Sequence, residues 1–534
     1  MSSHRAHSFE RDSQDQFPPG TVLLSDLQAQ AASGGIILNP TPTTDPNEPL
    51  VRGHSILNWP RFRKALNYGI ACLYVLITFV YLDIMPIGFS AYIQQLGFTF
   101  DQLNNALATQ FAGLATGCIL FIPFVHRYGR RPVYLLSILV QLGSGVWNGY
   151  VESSGELIAC NLLSGLGGAI SETIVQITIA DLFFVHQRGT LNGLFLLMQG
   201  SNLGWRWMWW ITAILTGANL AITLGLLEET KYVPVFSGQV TNAAVPQEPT
   251  ELINSNKMAQ VSKSIDENAA IDSDIRLPPR KSYFERIALV TRTHEPIRHH
   301  FYQPLLTLIT IPAVGYVAVT YGFLLANIAV INNTGAYYLI IPPYNFQPSS
   351  VGLFSLASFV GSALGSGSGG YTNDRISVLL AKRNNGIHES ETRLYTTFPA
   401  AVVCVSGLLM YGLGLSYKKP WPVLAVGQAL YAFGFSIIGD AALTYLTDSY
   451  VDIIGDCLVA VTFCRNALSI VILFSLNPWI ELNGLRNVFI VLASLTTFVL
   501  LLSVPMVIWG KRFRVRACDR YRLLARKQPF TRGT

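Results

Sequence analysis

The sequence predicts an all-α polytopic membrane protein built as two six-helix halves, with about twelve membrane-spanning helices. Three observations carry that prediction. Charged residues are 13% of the 534 positions and hydrophobic residues 50%, whereas soluble domains carry about 25% charge. From Ala65 to Gly510, apolar runs of about 20 residues, each long enough to cross about 30 Å of hydrocarbon as a helix, alternate with short polar segments. A polar stretch from Glu228 to His300 splits these runs into two sets of about six. Buried helices of soluble proteins seldom run this long without a polar face.

Residues 1–64 form a polar tail rich in Ser and Pro, read as cytoplasmic. They carry no cleavable signal, so the first apolar run is expected to act as the insertion signal. The N-terminal half, 65–230, holds spans near 66–88, 103–125, 133–151, 156–180, 190–204 and 206–227. A cytoplasmic loop, 231–300, follows; its stretch from Gly238 to Asp274 has few aromatic residues and is expected to be disordered. The C-terminal half, 301–510, holds spans near 304–331, 350–371, 395–415, 421–446, 458–478 and 487–509, and 511–534 is a basic cytoplasmic tail. The fifth span is truncated: "LNGLFLLMQGSNLGWRWMWWITAILTGANLAITLGLL" must supply two crossings with almost no turn between them.

Loop charge sets the orientation. Arg61, Arg63 and Lys64 precede span one, Arg127, Arg130 and Arg131 follow span two, and Arg188 follows span four. The alternate loops are nearly free of Lys and Arg, with Lys418 and Lys419 the main exceptions. Basic loops face the cytoplasm, which places both termini and the central loop inside. The sequon Asn332-Asn333-Thr334 then falls on the outer side, making Asn332 a candidate glycosylation site.

Other classes are disfavoured. The net charge of +6 sits at helix ends and forms no patch for nucleic acid. The seven cysteines show no disulfide framework or zinc spacing, and Pro296 interrupts the run His294, His299, His300, so no metal is expected. No phosphate-binding loop and no repeated histidine boxes are present, so neither a cofactor nor an enzymatic activity is expected.

Ionisable groups inside a membrane are costly and usually face a cavity. Asp83 lies in span one just before the helix breaker "MPIG", Glu172 lies in span four and Asp440 in span ten. Glu172 and Asp440 occupy corresponding helices, each followed by a second carboxylate, Asp181 and Asp448. This weak repeat predicts two carboxylates facing each other across a central cavity, where they could carry a proton or hold a cation. Arg465 in span eleven reads as a structural or interfacial charge. The cluster "WRWMWW" reads as an outer-face anchor, and "GSALGSGSGG" as close packing that lets the halves rock.

Two junctions carry a motif. "HRYGRRP" joins spans two and three, with Arg127, Gly129, Arg130 and Arg131; "GYTNDR" follows span eight, with Gly370, Asp374 and Arg375. A junction repeated at equivalent positions is what an internally duplicated transporter predicts. With the two halves and the long central loop, these segments resemble the signature of the major facilitator superfamily, with His126 where Asp is expected and Ile122 where Gly is expected. "SETIVQITIADLFFVHQRGTLNGLFLLM" and "TDSYVDIIGDCLVAVTFCRNALS" resemble its fungal drug:proton antiporter branch. The resemblance implies a monomeric efflux pump in the plasma or vacuolar membrane that exchanges protons for a small organic molecule. The same carboxylates would serve proton-coupled uptake of a cation such as a polyamine. The sequence departs from the branch at Asn161, where many relatives place an arginine. It departs again after Gly200 and Gly204, where Trp205 stands in place of the antiporter-motif proline.

Overall fold

The computed structural model describes residues 21–23, 61–182, 205–228, 298–346, 348–384 and 387–525. The expected fifth span at 190–204, Gly200 and Gly204, and the expected disorder of the central loop lie outside the described residues.

In the N-terminal half, α1 (Arg61–Asp83) ends at a 3-10 turn, Met85–Gly88, with Pro86 in its first turn. The breaker thus acts where the sequence places it, and α2 (Phe89–Leu96) follows the 3-10 turn. Next come α3 (Phe100–Tyr128), α4 (Arg131–Asn148), α5 (Ser154–Leu182) and α6 (Trp205–Leu226). A capping box starts α3: Thr99 Oγ1 accepts the Gln102 N–H (3.3 Å) and Gln102 Oε1 accepts the Thr99 N–H (3.1 Å). Helices α3 and α5 touch backbone to backbone. A Cβ added to Gly165 would fall 2.0 Å from the Gln110 carbonyl oxygen, and one on Gly113 would fall 2.2 Å from that of Leu162.

In the C-terminal half, span seven is broken before Pro312 into α7 (Arg298–Thr310) and α8 (Pro312–Tyr338). Then follow α9 (Pro348–Phe354), α10 (Leu356–Arg383), α11 (Thr397–Ser416), α12 (Trp421–Ser449), α13 (Ile454–Leu501) and α14 (Ser503–Ala525). Gly484, at φ 75°, kinks α13 and separates spans eleven and twelve. Six described segments are long and apolar enough to cross a membrane, the last running through that kink. Two three-residue strands, β1 (Thr21–Leu23) and β2 (Ile387–Glu389), pair antiparallel.

The halves meet along α3 and α13. At the end opposite the basic loops, Asn104 of α3 donates to the Leu473 carbonyl (2.6 Å) and accepts from Asn333 of α8. Asn477 donates to Asp101 (3.4 Å), and Phe100 stacks on Tyr337 with ring centres 4.2 Å apart.

Several expectations change here. Helix α14 continues the last span through the basic segment, so residues 511–525 are not a separate tail. The helix lies against the end of the C-terminal half: Arg514 grips Glu391 with Nε (2.8 Å) and Nη2 (2.5 Å), Lys511 pairs with Glu389 (2.6 Å), and Gln303 donates to the Leu524 carbonyl (3.2 Å). The glycines of the α10 stripe pack within their own half: Gly361, Gly365 and Gly369 lie on α12. Trp209 is not an interface anchor, since it is buried and donates from Nε1 to the Tyr92 hydroxyl (2.9 Å).

Candidate functional site

A cavity of about 100 Å³, partly open to solvent, lies between the halves. Asp83 of α1, Gln110 of α3 and Glu172 of α5 line it from one side, and Asn332 of α8 with Ser358 and Ser362 of α10 from the other. Phe79, Leu107, Phe111, Leu325 and Phe359 supply apolar wall. No basic side chain lines it among the described residues.

Each polar group is positioned by its helix end or neighbour. Asp83 is the last residue of α1, just before the 3-10 turn, and lines the cavity. Gln110 is fixed by donating from Nε2 to the Leu82 carbonyl (2.8 Å), which ties α3 to α1 beside that carboxylate. Glu172 is buried and engaged. Its Oε1 pairs with Nη2 of Arg465, and its Oε2 accepts from Nδ2 of Asn466 at 2.9 Å. The Arg465 guanidinium also lies over the Tyr321 ring, 5.1 Å from its centre. Arg465 is therefore the direct partner of the cavity carboxylate.

Asp440 does not face Glu172 across the cavity. It is fully buried between α10 and α12, beside Asn373 and 3.5 Å from the Thr444 hydroxyl. The α10 glycines bring α12 close, with Gly361 against Ala429 and Gly365 against Phe433. The repeat in sequence between Glu172 and Asp440 is thus not a repeat in position relative to the cavity.

Asn332 is also corrected. Helix α8 runs on to Tyr338, so the sequon sits inside a span and the loop begins only afterwards. Asn332 lines the cavity and accepts from Gln428 (3.4 Å), while Asn333 and Thr334 are fully buried.

The two junctions differ. In the first, Gly129 adopts φ 99° between α3 and α4, Arg127 is exposed over the Tyr128 ring (5.5 Å), and Arg131 is buried and donates to the Leu224 carbonyl at the end of α6 (2.6 Å). Arg130 occupies the N-cap position of α4 without a side-chain capping bond. In the second, Gly370, Asp374 and Arg375 lie within α10, which continues through the expected loop. Arg375 packs over Tyr371 (4.5 Å). Asp374 shares Arg393 with Asp448: Nη1 to Asp374 is 3.0 Å and Nε to Asp448 is 2.5 Å. Arg393, from the turn between α10 and α11, was not singled out by the sequence reading. It sits in the polar stretch "HESETRLYTT", where nothing marks it, and only the fold brings it to two carboxylates. Asn161 is buried and donates back to the Leu157 carbonyl (2.8 Å). Among the described residues no group of acidic, His or Cys side chains could hold a metal ion.

Two helical halves enclosing a polar cavity within an apolar belt are the architecture of a secondary transporter. The chain belongs to the Major Facilitator Superfamily, whose family model matches residues 70–473. It is similar to the uncharacterized MFS-type transporter C1271.10c of Schizosaccharomyces pombe, at 27% identity over 94% of each chain. It is also similar to the efflux pump radE of Floropilus chiversii, at 26% identity over 87% of this chain and 83% of that one. The solved proton:xylose symporter XylE shares its fold with a TM-score of 0.53 at 13% identity, over 86% of this chain and 96% of that one. The protein is thus a multi-pass membrane transporter, not an enzyme, similar to fungal efflux-type members of its family.

Proposed function

We propose that this transporter exports a small organic molecule by alternating access, with protons moving the opposite way through the same cavity. The observation that carries the proposal is the placing of two carboxylates, Asp83 and Glu172, on one cavity wall, with Glu172 also bound to the opposite half. A group that can be ionised in one state and protonated in another, at a seam that must open and close, is what proton coupling needs. The apolar and aromatic wall suits a substrate with a hydrophobic body. Export is supported by relatives such as radE, which is named an efflux pump. The packed junctions, Arg131 on α6 and Asp374–Arg393–Asp448, keep each half rigid while the halves rock. The protein works as a monomer in the plasma membrane, with both termini in the cytoplasm.

A second reading is proton-coupled uptake of an organic cation such as a polyamine. It is favoured by the lining, which carries two carboxylates and no basic side chain among the described residues. Radiolabelled spermidine separates the readings. Export predicts that cells expressing the protein accumulate no more label than cells lacking it. Uptake predicts accumulation that Asp83→Asn and Glu172→Gln abolish.

A further inference from the structure

We propose that the exposed face of α14 is a binding surface for anionic phospholipid headgroups, which hold this helix against the membrane at the basic end of the protein. Binding there depends neither on the substrate nor on proton coupling.

The face is set by spacing. Trp509, Arg512, Arg516, Arg520 and Leu523 follow one another at intervals of three, four, four and three residues, so they share one side of a helix. All five are exposed on α14, and Ile508 and Val515 are exposed beside them. Arg514, Ala517 and Leu524 lie on the other side and are buried. That buried side is fastened: Arg514 grips Glu391, Gln303 donates to the Leu524 carbonyl, and Tyr521 lies against Tyr450 with ring centres 5.7 Å apart. The arginine row is therefore held outward and cannot turn in.

The row has no counter-charge within the protein. Among the described residues, none of Arg512, Arg516 and Arg520 makes a side-chain hydrogen bond or an ion pair. Asp519 is the only acidic residue of α14. Like charges four residues apart on a helix repel each other, so three in line are relieved by an anionic surface laid along them. The row runs about 12 Å from Arg512 to Arg520, longer than a single phosphate.

Position selects a membrane as that surface. α14 starts at Ser503, inside the last apolar run, and Arg512 comes within one turn of Trp509. Trp favours the membrane–water interface. A basic row bounded by Trp509 and Leu523, with Val515 alongside, has the composition of a helix that lies in that interface. Lys and Arg just beyond a span draw acidic lipids. The tendency of basic residues to collect on one side of a membrane accounts for their sign, but not for their alignment or for the exposed Val515 and Leu523.

The test uses the full-length protein with its seven cysteines replaced and a polarity-sensitive fluorophore on Leu523→Cys, at the end of the row. It is placed in phosphatidylcholine nanodiscs whose phosphatidylserine content rises from none to about a third. Acrylamide quenching of the fluorophore is expected to fall about twofold or more as phosphatidylserine is added. The protection is expected to vanish at about 1 M salt, where the screening length is about 3 Å. Each arginine at an anionic surface contributes about fivefold in affinity. Arg512→Gln with Arg516→Gln therefore shifts the half-point about 25-fold, beyond the range scanned. If that pair does not fold, Arg520→Gln alone is expected to shift it about fivefold. Arg512→Lys with Arg516→Lys is expected to keep the protection, since a headgroup surface needs the charge and not the planar fork. Arg298→Gln with Arg383→Gln removes equal charge from other exposed positions at the basic end and is expected to keep it too. A wild type indifferent to phosphatidylserine overturns the proposal, as does an Arg512→Gln, Arg516→Gln pair that responds like the wild type. So does equal loss of the response in the Arg298, Arg383 pair, or full protection by inorganic phosphate in discs of phosphatidylcholine alone.

Discussion

Asn466 of α13 donates its side-chain amide to Glu172 of α5 over 2.9 Å, so a carboxylate rooted in one half is held by the other. Removing that carboxylate leaves Arg465 buried without its counter-charge. Breaking one side of a buried pair costs about 3–5 kcal/mol. Glu172→Ala is therefore expected to lower the unfolding midpoint of the purified protein well below that of the double variant lacking Arg465 as well. Equal midpoints for the single and double variants would show that the two residues do not couple.

The contact of α3 with α5 leaves no room for a side chain. Gly165→Ala sets a methyl against the Gln110 carbonyl, forcing the helices apart at a cost of about 1–3 kcal/mol. The cavity edge at Gln110 moves with them. Size-exclusion yield and thermal midpoint should both fall, while Gly217→Ala, with nothing near the added carbon, should change neither.

Arg393 answers two carboxylates with two different nitrogens, a geometry a lysine cannot reproduce. Arg393→Lys is expected to fall closer to Arg393→Ala than to wild type in thermal midpoint. Recovery by Arg393→Lys to the wild-type value would mean that a point charge suffices there.

Much of this was legible in the sequence and some was not, for identifiable reasons. Apolar length marks a span whatever its neighbours, so α1, α3, α8 and α12 stand close to where the runs place them. The breaker at Met85–Gly88 is local chemistry and acts locally. The position of Asp440 is not legible because hydropathy does not say which way a helix face points, and that face of α12 lies beside Asn373 of α10. Arg465 was read as a lone charge because its partner lies 293 positions away in the sequence, on the other half. Asn332 was placed outside because polar residues near a span end look like loop, whereas Asn333 and Thr334 are buried inside α8 by partners from α3 and α11.

That placement of Asn332 is itself testable. A residue within a span and facing a cavity is out of reach of glycosylation. Glycosidase treatment should leave the electrophoretic mobility unchanged, and Asn332→Gln should migrate like the wild type. A mobility shift on either change would contradict the helix assignment over 312–338.

The most direct measurement of the central claim is the ratio of each small organic solute in the medium to that inside cells. It is compared across cells carrying the wild type, no protein, Asp83→Asn or Glu172→Gln, with and without dissipation of the proton gradient. The account predicts at least one solute whose ratio rises with the wild type, falls to the protein-free value in both variants, and collapses with the gradient. Ratios identical in all strains, or undiminished export by both variants, would contradict it.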